Sequence, residues 1–123
     1  MKGIGTDIVA IARFAPLLAR QGERFVERLL TASERELYQQ RGAPESFLAK
    51  RFAAKEAVAK ALGTGIGRGV SFQHIEILNT AAGLPQVTLH GGALAAARAL
   101  GGERILLSIA DERDYAIAYA ALI

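Results

Sequence analysis

Apolar and polar residues alternate at the start of the chain. In Gly3–Ile11 (GIGTDIVAI), Ile4, Thr6, Ile8 and Ala10 fall on one face and Gly3, Gly5, Asp7, Val9 and Ile11 on the other, which predicts a strand. Asp7 thereby stands beside two glycines on a face with open space. From Ala12 to Leu30 the apolar positions (Phe14, Leu17, Leu18, Phe25, Leu29, Leu30) recur at helical spacing, and Gly22 breaks or bends the segment. Thr31-Ala-Ser-Glu34 has the spacing of a capping box and predicts a helix to about Arg41. Gly42-Ala-Pro44 ends that helix and opens the longest element, which runs through Leu62 until Gly63 offers a left-handed stop.

The second half reads as hairpins around one short helix. Ile75–Leu78 and Gln86–His90 flank the turn-rich stretch from Asn79 to Pro85, and Ala93–Leu100 is an Ala-rich helix between glycine pairs. Arg104–Ala110 and Tyr115–Ile123 are joined through Asp111-Glu-Arg-Asp114. Helices grouped between antiparallel strands predict an α+β fold, an antiparallel sheet packed with helices, one of them long.

Composition narrows this. The chain has 123 residues, enough for one domain over 1–123. Alanine accounts for 24 residues and aromatics for eight, so the core is small-grained. Without cysteine there are no disulfides or thiolate metal sites. Asp7 and Arg13 interrupt any signal-peptide core, and no run approaches a membrane span, so a cytoplasmic protein is expected. Charge is uneven: residues 1–68 hold 12 Lys+Arg against 7 Asp+Glu (+5), and 69–123 hold 3 against 5 (−2). A basic front half expects an anionic partner.

The long helix contains Arg51-Phe-Ala-Ala-Lys55-Glu56-Ala-Val-Ala-Lys60, in which Leu48, Phe52, Glu56 and Lys60 share one row. On an arbitrary helix, Glu56 and Lys60 would be an exposed pair worth about 0.2–0.5 kcal/mol. Here a glycine-rich loop, Gly63-Thr64-Gly65-Ile-Gly67, follows at once, and the strand aspartate is available to converge. Two carboxylates, Asp7 and Glu56, with Lys60 and a loop of backbone N–H groups are the equipment for Mg²⁺ and a diphosphate. The loop has neither the dinucleotide fingerprint nor the Lys-Ser/Thr end of a P-loop, and also reads as a plain connection. His74 and His90 are isolated and take no role. Arg13, Arg20, Arg24 and Arg28 lie on one side if their helix is continuous, and Glu23 and Glu27 neutralise only part of that row.

Over nearly its whole length the chain resembles the holo-acyl-carrier-protein synthase family of small bacterial 4′-phosphopantetheinyl transferases. Gly3–Arg13 resembles the family's first motif and Arg51–Gly67 its signature helix and loop. Phe72–Pro85 resembles its middle hairpin, and Ser108–Ala116 occupies the place of its closing motif. The resemblance implies the 4′-phosphopantetheinyl transferase fold. It also implies transfer of the phosphopantetheine arm of coenzyme A to a serine of apo acyl carrier protein, releasing adenosine 3′,5′-bisphosphate, within fatty acid biosynthesis. In that reaction Asp7 and Glu56 hold Mg²⁺ and Glu56 takes the serine proton, directly or through water. Lys60 neutralises developing charge, while Arg51, Lys60, Gly63, Thr64, Gly65 and Gly67 contact coenzyme A. Arg13, Arg20, Arg24 and Arg28 then face the acidic carrier. The expected partners are coenzyme A and the carrier, with no nucleic acid or membrane, and the expected assembly is a homotrimer with sites between subunits. The chain departs from the family pattern at Ala10, where relatives often carry an acidic residue. It departs again at Asp111, where many carry His; that role then falls to Asp111, Glu112 or water. Two competing readings are a small basic nucleic-acid-binding module and a coenzyme A-binding relative without catalysis. Against the first, the aromatics are few and not interleaved with Lys and Arg.

Overall fold

Glycine, alanine and β-branched residues at opposed positions decide how the main elements meet. The computed structural model describes Met1–Ile123. Strand β1 (Gly3–Ala10) pairs antiparallel with the C-terminal strand β5 (Tyr115–Leu122), placing Asp7 opposite Ala118. Strand β4 (Ile105–Asp111) lies on the other side of β5, giving the order β1-β5-β4. A separate hairpin joins β2 (Ile75–Asn79) to β3 (Pro85–Leu89).

The long helix α4 (Glu45–Ala61) crosses the inner face of the three-stranded sheet. It is buried on nearly every side although six of its residues are charged, with Ala49, Ala53, Ala54, Ala57 and Ala59 fully buried. The alanines let it sit close, and Gly3 and Gly5 complete the seam: a Cβ on Gly5 would stand 2.7 Å from Ala61 N and 2.8 Å from Lys60 Cβ. On β5, Ala116, Ala118, Ala120 and Leu122 face α4 and are buried.

Around this centre lie the expected helices. A 3₁₀ turn (Ile11–Arg13) leads into α1 (Phe14–Gln21), and Gly22, at φ 55°, separates it from α2 (Glu23–Leu29). The capping box forms at the start of α3 (Ala32–Gln40), with Thr31 N donating to Glu34 Oε1 at 2.8 Å and Glu34 N to Thr31 Oγ1 at 3.3 Å. Helix α5 (Gly91–Ala99) starts two residues earlier than its alanine run predicts, because Gly91 and Gly92 join its first turn above the His74 ring.

The outer face of the sheet is apolar as well. Ile4, Ile8, Leu106, Tyr115, Ile117 and Tyr119 are 44–61% exposed there. Exposed isolated apolar residues are ordinary, but six on one sheet face make an apolar patch.

Candidate functional site

Period-two alternation on β1 turns Asp7 to the same side as Gly5, toward α4, and period 3.6 on α4 turns Glu56 and Lys60 to meet it. Lys60 Nζ donates to Asp7 Oδ1 at 3.1 Å and to the Thr6 carbonyl at 2.9 Å. An ammonium has three donors, so one remains for a further anion. Glu56 is partly buried beside them, and its pKa is raised, first by burial and then by the Asp7 charge, against the pull of Lys60 and Arg13. The predicted trio of Asp7, Glu56 and Lys60 is thus brought together. Nowhere do three His, Cys, Asp or Glu side chains cluster to hold a metal unaided. A pair of carboxylates matches the habit of Mg²⁺, which keeps waters and completes its shell with substrate phosphates.

The glycine-rich loop sits at the C-terminal end of α4, next to Lys60, but its amides are not free as the sequence suggests. Gly63, at φ 76°, donates to Lys60 O, while Thr64 and Gly65 both donate to Ala59 O, closing the helix end as a Schellman motif does. Gly67 N is likewise bonded to Val70 O. The loop therefore offers a phosphate no donor from these four amides as it stands. What it does offer is the Thr64 hydroxyl, buried with no hydrogen-bond partner.

Arg51 goes elsewhere. Five residues separate it from Glu56, about 140° around the helix, and nine from Lys60, about 13 Å along it. Its guanidinium lies 4.5 Å above the Phe47 ring and donates to Asn79 Oδ1 at 3.4 Å. With Arg41, Lys50, Asn79, Gly83 and Asp111 it lines a shallow cleft of about 160 Å³. Asp111 is 3.8 Å from Lys50 Nζ and belongs to this cleft. The chain thus carries two separate features, one acidic and metal-suited around Asp7, the other basic and anion-directed around Arg51.

The arginine row also divides. Arg20, Arg24 and Arg28, with Gln21, line one open surface concavity. Arg13 stands apart in the 3₁₀ turn before α1, with its guanidinium 5.1 Å from the Phe52 ring centroid and within the field of Glu56. It borders the carboxylate site, one residue row from Glu56.

Sequence reasoning missed a buried ion pair. Lys55 Nζ donates to Glu34 Oε1 at 2.6 Å, to Leu29 O at 2.6 Å and to Phe72 O at 3.0 Å, and both side chains are fully buried. Burial lowers the Lys55 pKa, and Glu34 opposes that shift. The signal was present in Lys55 itself, a cation on a helix with no polar face to carry it.

Known proteins match this chain from end to end. The family described as the 4′-phosphopantetheinyl transferase superfamily matches residues 3–120. A holo-[acyl-carrier-protein] synthase of Shewanella frigidimarina is 59% identical over 120 residues, which is 98% of this chain and 95% of that protein. The crystal structure of the holo-[acyl-carrier-protein] synthase of Neisseria meningitidis superposes with a TM-score of 0.90 at 44% identity, covering 100% of this chain and 98% of the other. The Helicobacter pylori enzyme, crystallised in complex with coenzyme A, superposes with a TM-score of 0.85 at 34% identity, covering 98% of this chain and 99% of the other.

Proposed function

The chain belongs to the 4′-phosphopantetheinyl transferase superfamily, and from that membership we propose that it is a holo-[acyl-carrier-protein] synthase. It transfers the 4′-phosphopantetheine arm of coenzyme A to a serine hydroxyl of apo acyl carrier protein and releases adenosine 3′,5′-bisphosphate. The observation that carries this is the convergence of Asp7, Glu56 and Lys60 in a chain matched to such synthases over nearly its full length.

The serine oxygen attacks the β-phosphorus of coenzyme A, the bridging P–O bond to the nucleotide breaks, and the hydroxyl proton must leave. Glu56 is suited to receive it, because burial and Asp7 make its carboxylate a stronger base than an exposed glutamate. Lys60 approaches the same point, and its uncommitted N–H stabilises charge on the departing phosphate. Asp7 and Glu56 are the residues that would hold Mg²⁺, which when bound supplies charge neutralisation at the diphosphate. Thr64, at the end of the same helix, offers its hydroxyl to the coenzyme A phosphates, and Gly63, Gly65 and Gly67 shape the loop around it.

Arg51 and its basic cleft take the remaining phosphate charge of coenzyme A, but from a neighbouring protomer. The apolar outer face of the sheet is the proposed contact, and the working unit is a homotrimer in which the Asp7–Glu56 site of one chain meets the Arg51 cleft of the next. Arg20, Arg24 and Arg28 form the docking surface for the acidic carrier, with Arg13 at its inner end beside Glu56. The proposed setting is the cytoplasm and the proposed unit a single transferase domain over 1–123. Incubation with coenzyme A, Mg²⁺ and an apo carrier, read by intact mass, tests the activity. The carrier should gain one phosphopantetheine, and an unchanged mass would overturn the assignment.

A further inference from the structure

The buried ion pair of α3 and α4 does more than neutralise Lys55. Glu34 and Lys55 alone form a closed unit. Lys55 Nζ is satisfied by three acceptors, Glu34 Oε1 accepts from Lys55 and from Thr31 N, and Oε2 accepts from Ile77 N at 2.9 Å. These bonds fix the carboxylate from both sides, so it cannot turn without breaking several at once. Against this fixed group stands a second cation, with Arg51 Nε 3.8 Å from Oε2 and the Arg51 side chain only 4% exposed. No other carboxylate lies within ion-pairing distance of Arg51, and its Nε is buried with no hydrogen bond.

Lys55 also stands in the field of Glu76, whose Oε2 accepts from Thr31 Oγ1 at 2.6 Å, so Arg51 is the cation of this group that faces outward. Only one side is open. Arg51 lines the cleft shared with Arg41 and Lys50, where Asp111 is the one acidic side chain. The contacts that hold its outer end, Asn79 Oδ1 at 3.4 Å and the Phe47 ring, set position weakly. Behind it, the fixed Glu34 carboxylate adds an ionic contact at 3.8 Å without a hydrogen bond.

We propose that Glu34 is a positioning residue for coenzyme A, its carboxylate holding the Arg51 guanidinium aimed into the basic cleft, where its outward N–H groups meet a phosphate. The inference rests on the function proposed above and adds a residue outside both halves of the site. Preorganisation of this kind acts on affinity for the anion and leaves the acid–base step at Glu56 alone.

Two variants matched for the loss of Lys55 separate positioning from structural pairing. Lys55→Met keeps the carboxylate opposite Arg51 and is expected to bind coenzyme A as the wild type does. Glu34→Gln combined with Lys55→Met removes that carboxylate without stranding a buried lysine, and is expected to bind coenzyme A about tenfold more weakly, in keeping with a lost charge-assisted contact. Affinity is read by calorimetry, and turnover is expected to show a raised KM for coenzyme A with kcat and the KM for carrier unchanged. If the double variant does not fold, Glu34→Asp, which keeps the charge but draws the carboxylate back by one methylene, is expected to give the same selective loss. Equal coenzyme A affinity in Lys55→Met and the double variant, or wild-type affinity in Glu34→Asp, would show Glu34 to be a structural counter-ion only. Binding of coenzyme A without transfer to any carrier overturns the proposed function and leaves these affinities to judge the inference; no binding at all overturns both.

Discussion

Replacing Gly5 by alanine drives one methyl group into the seam on which the site depends. The new Cβ falls against the carbonyl oxygen of Ala57, 2.7 Å from Ala61 N and 2.8 Å from Lys60 Cβ. Favourable carbon contacts begin at about 3.5 Å, and the obstructing atoms are mainly helix backbone, so β1 and α4 must part by about 1 Å. Overpacking of this kind costs about 1–3 kcal/mol, which for a chain of this size lowers the melting temperature by about 5 °C or more. The functional effect is larger than the loss of stability. Asp7 lies two residues along the same strand face and Lys60 on the helix being displaced, so the 3.1 Å contact between them opens. A misplacement of about 1 Å at reacting groups can cost about a hundredfold in rate. The assay is carrier modification at saturating coenzyme A and carrier, beside a thermal melt that shows the variant folded. Unaltered melting and turnover in Gly5→Ala would refute both the closeness of the seam and the dependence of the site on it.

Other consequences follow from the same geometry. Glu56→Gln should abolish turnover while the fold persists, and without divalent cation it should flatten the dependence of stability on pH. Because the folded-state pKa of Glu56 is raised, its contribution to stability is present at acid pH and lost as pH rises through the folded value. Metal-free melts between about pH 4 and pH 8 check this, and an identical slope in wild type and variant contradicts it. Arg24→Glu with Arg28→Glu should raise the KM for carrier about tenfold at low salt, flatten its salt dependence and leave coenzyme A affinity intact. An unaltered carrier KM removes these arginines from docking. Inactive Glu56→Gln and Arg51→Ala chains, dissociated and reassembled together, should regain about a quarter of wild-type activity if each site draws on two protomers. No regain places both halves in one chain.

Local signals made most of the fold legible. Gly22, the Thr31–Glu34 box, Pro44 and Gly63 each mark an element end through their own backbone or capping chemistry, and the structure breaks there. The meeting of Asp7 with Glu56 and Lys60 was legible for a related reason: two periodicities and two glycines allow strand and helix to approach only on those faces. The surroundings of Arg51 were not legible from its neighbours in sequence. It shares a motif with Glu56 and Lys60 yet projects from another side of α4, where its surroundings come from α3 and from β2 and its turn, distant in sequence. The partner of Lys55 was hidden similarly, since 21 residues separate it from Glu34. The loop amides misled because glycine spacing announces conformational freedom and says nothing about which acceptors the freed N–H groups find. Ile4 and Ile8 on the outer face of β1 were visible, but whether that face meets solvent or protein depends on β4 and β5, which complete it only after folding.

Cleavage of coenzyme A and esterification of a carrier serine are one coupled reaction. Its most direct measurement follows both products in one reaction, adenosine 3′,5′-bisphosphate by chromatography and carrier by intact mass, with and without a chelator. One phosphopantetheine should be gained per nucleotide released, and both products should be lost when Mg²⁺ is removed. Nucleotide release without a gain in carrier mass, or no release at all, would contradict it.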